Sequence, residues 1–296
     1  MRLADVERPE GDELLVVVGP TASGKTELAI RLCEKLDGEV VGADSVQVYR
    51  GFDIGSGKPT REELARARHH LVDVADPGEA FDAQRFAEMS EAAIQDVRAR
   101  GKLPIVCGGT FLWVRALVWG LAKAPPADAE VRARHAAIVE AEGRGGLHAR
   151  LKEVDAESAA RLNPNDMVRV SRALEVFELS GKPQSAWFAE HGFREAKHAA
   201  RMLGVRRERE EVDRRIEART ERWLAEGWIE EVKRLRDAGF GESRAMGSVG
   251  YRQVSEHLEG KIAEADLATA VVRATRVFVR RQRTWLRDEP VTWVET

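Results

Sequence analysis

Apolar positions in the first 110 residues alternate between short continuous runs and stripes at helical spacing. Runs at 14–18 and 103–107, with Val40 and Val41 between them, predict strands that are buried on both faces. Apolar residues at helical spacing over 28–36 and 86–97 predict amphipathic helices between those strands. Strands that alternate with helices in this way predict right-handed βαβ units and a parallel sheet.

The pattern changes after residue 123. Ala124-Pro125-Pro126-Ala127 has the composition of a linker, and the sequence from there to about residue 199 has helical periodicity without clear strands. Within it, Asn165-Asp166 can cap one helix and Gly181 can end it. Residues 201–205 can return the chain to the sheet. We therefore predict an α/β fold with a discontinuous core, residues 1–123 and 199–296, and a helical insertion domain, residues 124–198.

The strongest single motif follows the first predicted strand. It matches the phosphate-loop (P-loop) pattern G-x-x-x-x-G-K-[ST], with an apolar strand before it and a helix after it. Its backbone N–H groups and the helix N-terminus are suited to bind phosphate oxygens. We expect Lys25 to place a positive charge on a terminal phosphate and Thr26 to coordinate Mg²⁺ through its hydroxyl. The motif is Gly19, Pro20, Thr21, Ala22, Ser23, Gly24, Lys25 and Thr26.

Composition and cysteine content exclude several classes of protein. Of 296 residues, 43% are hydrophobic and 33% are charged, as in ordinary globular proteins. The uncharged run 103–114 is too short to span a bilayer, and residues 1–5 lack the apolar core of a secretory signal. Cys33 and Cys107 are far apart in sequence, which favours buried, reduced thiols. We expect a cytoplasmic protein with no membrane segment.

The charge is distributed unevenly, although the net charge is only −3. No acidic residue lies between Asp266 and Asp288, whereas six arginines do. Such a stretch can bind phosphate even on a neutral protein, because the local field matters more than the total charge. The alternative is a solvated helix face that pairs with acids elsewhere in the fold. The six are Arg273, Arg276, Arg280, Arg281, Arg283 and Arg287.

The run from Asp44 to Pro59, D-S-V-Q-V-Y-R-G-F-D-I-G-S-G-K-P, identifies a family. It closely resembles the signature that follows the phosphate loop in tRNA dimethylallyltransferases, also called tRNA isopentenyltransferases. Further elements of that family occur in the same order along the chain, so the resemblance extends from about Leu14 to Trp285. They are His69 to Asp73, Gly108-Gly109-Thr110, Asn165 to Val176, Gly250 to Gln253, and Arg281-Gln282-Arg283-Thr284-Trp285.

This resemblance implies a reaction. Members transfer a dimethylallyl group from dimethylallyl diphosphate to N6 of adenosine 37, beside the anticodon of tRNA. The P-loop, residues 19–26, would hold the diphosphate, with Mg²⁺ on Thr26 offsetting its charge as the C–O bond breaks. Arg219 matches a family arginine that contacts the diphosphate, unless it is an ordinary surface arginine of a helix. We expect one active site in each chain and a monomer.

The resemblance also implies residues that contact tRNA, whose target base must leave the anticodon-loop stack to react. Thr110 and Arg132 match such residues, although Thr110 could simply cap a helix and Arg132 could simply be solvated. Arg169 and Arg172 share a helix face and are the better phosphate candidates, whereas Val168 and Val170 are better explained by packing. The full set is Asp44, Ser45, Val46, Gln47, Thr110, Arg132, Val168, Arg169, Val170, Ser171, Arg172, Gly247, Ser248, Val249, Gly250, Tyr251 and Arg252.

Three side chains are candidates for the chemistry: Asp44, Lys25 and Thr110. Asp44 ends the second predicted strand, and ligands of open parallel sheets bind at the carboxyl ends of strands. The resemblance implies that Asp44 accepts the N6 proton of adenine. An aspartate in this place can instead bind Mg²⁺ together with Thr26, and both roles are open.

Three other functions share parts of this sequence pattern. A P-loop kinase of a small metabolite would have the loop and the Mg²⁺, but it does not explain the run 44–59 or the C-terminal arginines. An adenylate isopentenyltransferase acts on free nucleotide, and the helical insertion disfavours it. A tRNA-binding module without catalysis has no need for an intact P-loop beside Asp44.

Overall fold

The computed structural model describes residues 1–192, 196–287 and 289–295. These residues form two compact units, Met1–Val118 with Lys197–Thr296, and Trp119–Ala196. We call them the sheet unit and the helical unit. The predicted insertion 124–198 includes residues 193–195, which lie outside the described residues, as do 288 and 296 of the predicted core.

A six-stranded parallel sheet organises the sheet unit, in the order β3-β2-β4-β1-β5-β6. The predicted α/β class and the parallel strands at 14–18, 40–41, 103–107 and 201–205 are confirmed. The strands are β1 (Leu14–Val18), β2 (Gly38–Ala43), β3 (His69–His70), β4 (Leu103–Gly108), β5 (Ala200–Val205) and β6 (Val291–Val294).

Among the helices of the sheet unit, the first and the third pack on the strands. The two predicted amphipathic helices are confirmed as the first and third of them. They are α1 (Lys25–Leu36), α2 (Arg61–Arg66), α3 (Ala83–Ala99), α4 (Phe111–Trp119), α9 (Arg209–Ala225), α10 (Trp228–Asp237), α11 (Tyr251–Leu258) and α12 (Glu264–Leu286). None of the helices in the described ranges is long and apolar enough to cross a membrane.

Two strands at the edges of the sheet have no clear signal in the sequence. β3 is only two residues long and pairs with Val40 and Val41 of β2. β6 pairs with β5 and has one fully buried residue, Val294. So few residues carry too little periodicity to predict a strand. Such short edge strands form through their pairing with a neighbouring strand.

One core region of the sheet unit lies between α1 and the sheet. Every residue of β1 and β4 is buried, which explains their continuous apolar sequence. Leu28, Ile30 and Leu32 of α1 pack against this surface. Cys33 and Cys107 are both buried and free, as predicted. This packing fixes the start of α1 against the carboxyl ends of β1 and β4.

The helical unit packs its own smaller core. Leu147, Leu151, Val170 and Leu174 are among the buried residues of that core. Asp166 caps the third of its helices through a hydrogen bond from the Arg169 N–H, and Gly181 ends the helix in a left-handed conformation, as predicted. The helices are α5 (Ala129–Val154), α6 (Ala156–Arg161), α7 (Met167–Ser180) and α8 (Gln184–His191).

Candidate active site

The P-loop connects β1 to α1, as its sequence predicts. Gly24 precedes the first residue of α1 with a φ of +95°, a backbone conformation that glycine adopts without strain. A Cβ at Gly19 would lie 2.7 Å from Ser23 Oγ, so this position has no room for a side chain. Ala22 packs against Val212, Ile216, Val272 and Val279, a cluster formed by α9 and α12. The P-loop is therefore held by α1, which continues from it, and by α9 and α12, against which Ala22 packs.

A pocket of about 490 Å³ opens above this loop. Its floor is formed by the P-loop and by the carboxyl ends of β2 and β4, and α9 forms one wall. The turn at 56–59, from the family signature, and Val72 line its other side. The structure therefore brings together Lys25, Thr26, Asp44 and Arg219, which the sequence places almost 200 residues apart.

Two cations of the pocket are placed where burial disfavours their charge. Burial lowers the pKa of Lys25, and the positive charge of Arg219 lowers it further. Burial also lowers the pKa of Arg219 to about 10, with Arg222 adding to the effect. The Arg219 guanidinium lies 4.4 Å from the ring centroid of Trp223, and in the described part of the chain its Nε has no hydrogen-bond partner. An anion in the pocket would relieve this electrostatic cost.

Asp44 lies at the end of β2 and its carboxylate is oriented by the backbone. Asp44 Oδ1 accepts hydrogen bonds from the N–H groups of Val46 at 2.9 Å and Gln47 at 3.3 Å. Within the described ranges Asp44 Oδ2 has no hydrogen-bond partner. The negative charge of Asp44 raises the pKa of both Lys25 and Arg219, against the larger effect of burial. One oxygen therefore fixes the side chain while the other is free to act.

Thr110 joins the ends of β2 and β4. Its Oγ1 accepts a hydrogen bond from the Ser45 N–H at 3.1 Å and donates one to Ser45 Oγ at 3.3 Å. Gln47 Nε2 donates to the carbonyl oxygens of Ser56 and Gly57, which lie in the turn that lines the pocket. Thr110 and Gln47 therefore hold the segment 44–47 in place, a role beyond the cap or contact that the sequence suggested.

The rest of the signature, residues 48–59, is held by buried polar and aromatic groups. Lys58 Nζ donates to the Tyr49 carbonyl, Asp53 and Asp73, all within 2.7 Å. Glu231 of α10 accepts from the N–H groups of Asp53 and Ile54. Sequence reasoning missed Glu231, since no local pattern in α10 distinguishes a glutamate that binds a distant loop.

Aromatic packing explains two glycines of the family pattern. A Cβ at Gly55 would lie 2.0 Å from Trp228 Nε1, and one at Gly250 would lie 2.4 Å from another atom of the same ring. Trp228 is almost fully buried. Both glycines are therefore required by the close approach of this tryptophan.

The third predicted tRNA segment, residues 247–252, divides into buried and accessible residues. Tyr251 is 1% exposed and its hydroxyl donates to Glu231 at 2.6 Å, and Gly250 is buried against Trp228. Packing therefore encloses both residues, and the tRNA contact predicted for this segment rests on its accessible members. Gly247 and Arg252 are exposed, and Ser248 and Val249 are partly buried.

In the helical unit, a buried glutamate binds two of the predicted tRNA-contacting arginines. Glu175 has no exposed side-chain surface and forms ion pairs with Arg132 at 2.9 Å and Arg172 at 2.5 Å. The guanidinium of Arg172 also donates to the carbonyl oxygens of Pro125 and Pro126. Arg172 is thus a structural link between α7 and the linker, whereas the side chain of Arg132 remains half exposed.

The other members of this segment differ sharply in exposure. Val170 is completely buried, so the interpretation that its side chain packs in the core is confirmed. Val168 is 81% exposed, which contradicts the interpretation that it packs. Arg169 is exposed and pairs with Asp166 one turn earlier. Ser171 Oγ bonds to His135 Nδ1 at 2.9 Å.

Four of the six C-terminal arginines lie on one face of α12. Arg273, Arg276, Arg280 and Arg283 follow a 3-4-3 spacing and line a groove of about 160 Å³ beside α9. Arg276 forms ion pairs with Asp213 and Glu217 of α9, so for this residue the alternative of pairing with acids elsewhere in the fold is confirmed. Arg273 and Arg280 are exposed. We call these four residues the arginine stripe.

The pocket offers few ligands for a metal ion. In the described ranges no group of three histidine, cysteine or acidic side chains could hold one. Thr26 and Asp44 both line the pocket, one with a hydroxyl and the other with a carboxylate. Mg²⁺ is commonly held by one or two such groups together with phosphate oxygens and water. These residues fit a Mg²⁺ that arrives with a polyphosphate.

Comparison with known proteins gives a consistent result. Residues 47–289 match the IPP transferase family. The chain is 69% identical to a tRNA dimethylallyltransferase of Sorangium cellulosum, over 97% of this chain and 91% of that protein. It is 45% identical to a tRNA dimethylallyltransferase of Geobacter sulfurreducens, over 96% of this chain and 92% of that protein.

Solved structures agree with the sequence relatives. A tRNA isopentenylpyrophosphate transferase from Bacillus halodurans superimposes with a TM-score of 0.70 at 35% identity, covering 96% of this chain and 89% of that one. A eukaryotic dimethylallyltransferase acting on tRNA superimposes with a TM-score of 0.77 at 27% identity, covering 93% of this chain and 70% of that one.

The electrostatic cost of the pocket generates a test. Inorganic diphosphate with Mg²⁺, at a hundred times its dissociation constant, should raise the melting temperature of the protein by about 5–10 °C. Arg219→Met should abolish most of this rise without lowering the melting temperature of the ligand-free protein, because methionine can still pack on Trp223. Differential scanning fluorimetry measures both quantities.

The matched control is Arg214→Met, which removes an exposed arginine from the same helix. It should leave the diphosphate-induced rise intact. If Arg219→Met instead melts several degrees lower without ligand and keeps the full rise, Arg219 is a structural residue and does not bind the anion.

Proposed function

The chain belongs to the IPP transferase family of tRNA-modifying prenyltransferases, and from that premise we propose how its pocket carries out the reaction. The enzyme transfers a dimethylallyl group from dimethylallyl diphosphate to N6 of adenosine 37 in tRNA. The products are N6-(dimethylallyl)adenosine and diphosphate. The observation that carries the mechanism is the placement of Lys25, Thr26, Arg219 and Asp44 around one pocket at the carboxyl edge of the sheet.

The diphosphate of the donor binds in the P-loop. Backbone N–H groups at the start of α1 point towards its oxygens, and Lys25 and Arg219 supply two positive charges. Both cations are partly withdrawn from water, which strengthens their attraction for an anion. Their charge stabilises the diphosphate as the C–O bond of the donor breaks, when negative charge develops on the leaving oxygen.

Thr26 and Asp44 fit a Mg²⁺ that accompanies the diphosphate. When bound, the ion would neutralise part of the charge of the leaving group. The protein contributes the hydroxyl of Thr26 and the position of the P-loop.

Asp44 accepts the proton that N6 loses. The amine of adenine is a poor nucleophile, because its lone pair is delocalised into the ring. As the bond between N6 and C1 of the dimethylallyl group forms, the C1–O bond breaks and its electron pair leaves with the diphosphate. The N6 proton passes to Asp44 Oδ2, while Oδ1 is held by the N–H groups of Val46 and Gln47.

The tRNA reaches this site with adenosine 37 flipped out of the anticodon-loop stack. Segment 44–47 and Thr110 lie at the carboxyl ends of β2 and β4 and face the reacting base. Both units supply accessible surface for the anticodon stem-loop. In the sheet unit this surface comes from the arginine stripe, Gly247 and Arg252. In the helical unit it comes from Arg132, Val168 and Arg169. A single chain supplies all residues of the pocket, which supports a monomer, and the tRNA substrate supports a cytoplasmic site of action.

The proposal is tested by mass spectrometry of tRNA after incubation with the protein, Mg²⁺ and dimethylallyl diphosphate. The dimethylallyl mass should be added at adenosine 37, and ATP should compete only weakly with the donor. ATP that binds tightly and is hydrolysed faster in the presence of tRNA would favour a kinase or nucleotidase. Modification of free adenosine nucleotides in place of tRNA would favour an adenylate isopentenyltransferase.

The role of Asp44 is tested by Asp44→Asn, which keeps the shape of the side chain and removes the base. Single-turnover prenylation should fall roughly 10²-fold or more, with donor and tRNA affinities nearly unchanged. A role in Mg²⁺ binding predicts weaker donor binding that higher Mg²⁺ partly restores. Turnover close to that of the wild type would contradict both roles.

The RNA surface is tested by the salt dependence of tRNA binding. Arg280→Gln combined with Arg283→Gln should weaken binding and lower the log–log slope by about 1.4–1.8, because each phosphate contact contributes about 0.7–0.9. Arg31→Gln combined with Arg61→Gln, at two exposed arginines of α1 and α2, should leave the slope unchanged. Equal slopes for the two double variants would show that the arginine stripe does not contact tRNA.

A further inference from the structure

A glutamine from the C-terminal helix reaches the P-loop. Gln282 lies in α12 and is only 5% exposed, although both of its neighbours in sequence are arginines. Its Oε1 accepts a hydrogen bond from the Thr21 N–H at 2.9 Å, across 261 residues of sequence. Its Nε2 donates to the Gly109 carbonyl oxygen at 3.0 Å. One side chain thus joins the P-loop to the segment that follows β4.

The two groups that Gln282 joins belong to opposite sides of the reaction. Thr21 lies in the loop that binds the diphosphate. Gly109 precedes Thr110, whose hydroxyl holds Ser45 and therefore the segment that carries Asp44. Both ends of the Gln282 amide thus bind backbone groups, Oε1 the Thr21 N–H and Nε2 the Gly109 carbonyl oxygen.

The packing around Gly109 shows that the amide has a fixed place. A Cβ at Gly109 would lie 2.6 Å from Gln282 Nε2, 3.2 Å from the Gly19 carbonyl oxygen and 3.6 Å from Lys25 Nζ. The two backbone segments therefore approach each other through a glycine, and the glutamine amide fills the remaining space. A glutamine amide can accept from an N–H and donate to a carbonyl oxygen at the same time without carrying a charge.

We propose that Gln282 is a positioning residue for prenyl transfer, which sets the distance between the diphosphate loop and the base-reading edge formed by Asp44 and Thr110. It acts on the donor through Thr21 and on the acceptor side through Gly109. The hydrogen bonds of a buried amide are directional, so they constrain both segments more tightly than apolar packing would. This inference rests on the proposed function for the identity of the two substrates.

Gln282→Met tests this role, because methionine has nearly the same length and makes neither hydrogen bond. The dissociation constant for inorganic diphosphate with Mg²⁺ and the KM for dimethylallyl diphosphate should both rise about tenfold, as expected from the loss of two buried hydrogen bonds. The turnover number should fall as well, since misplaced reactants lose their alignment. The dissociation constant for tRNA should change less than twofold.

The matched control is Gln253→Met. Gln253 is also 5% exposed and also bonds the backbone, through the Gly250 N–H at 2.8 Å, but it is remote from the P-loop in its contacts. The Gln253→Met variant should lower the melting temperature by about as much as Gln282→Met does, and it should leave the affinity for diphosphate unchanged. If both variants weaken diphosphate binding equally, or if neither does, Gln282 has no specific positioning role.

A second pair of variants tests the same contact in case Gln282→Met does not fold. Gly109→Ala should weaken diphosphate binding, because its Cβ displaces the glutamine amide. Gly109→Ala in a Gln282→Ala background should add a smaller loss than Gly109→Ala causes alone, since the 2.6 Å clash with the amide is then absent and only the 3.2 Å approach to the Gly19 carbonyl oxygen remains. Fully additive losses would overturn the proposal.

These binding measurements use inorganic diphosphate and do not depend on prenyl transfer. A protein that fails to modify tRNA but shows the expected effects on diphosphate binding would contradict the proposed function and keep the link between Gln282 and the P-loop. Normal prenyl transfer with unchanged diphosphate binding in Gln282→Met would contradict only the role of Gln282.

Discussion

An excess of positive charge in a partly enclosed pocket is the constraint on which the rest of this structure depends. Four cationic side chains line the pocket, and Asp44 is the single carboxylate among the described residues that do so. Burial already lowers the pKa of Lys25 and Arg219 in the protein without ligand. A diphosphate with its metal ion relieves this imbalance. The leaving group of the reaction is therefore also the ligand that the pocket electrostatically requires.

The parallel sheet determines where this charge can be used. The carboxyl ends of β1, β2 and β4 are neighbours, so the P-loop, Asp44 and Thr110 meet at one edge although they are far apart in sequence. Their exact placement depends on groups that take no part in the chemistry. Trp228 and Glu231 hold the signature segment from α10, and Gln282 holds the P-loop from α12.

Ion pairing changes which basic residues are available for RNA. Arg172 and Arg276 are engaged with acids of their own unit, and Arg172 is tied to the linker as well. A buried partner such as Glu175 fixes the guanidinium, whereas an exposed arginine such as Arg280 retains its freedom to meet a phosphate. The same helix α12 presents arginines on one face and buries Gln282 on another, so it serves both the surface and the pocket.

The sequence by itself determined the fold class, the P-loop, the family and the residues around Asp44. These follow from local patterns, since buried strands, amphipathic helices and a loop that must bind phosphate each restrict consecutive residues. Tertiary structure alone decided the edge strands β3 and β6, the burial of Val170 and Tyr251, and the exposure of Val168. It also decided the partners of Arg172, Glu231 and Gln282. Each of these depends on contacts between residues distant in sequence, and the periodicity along the chain does not indicate which side chains will come into contact.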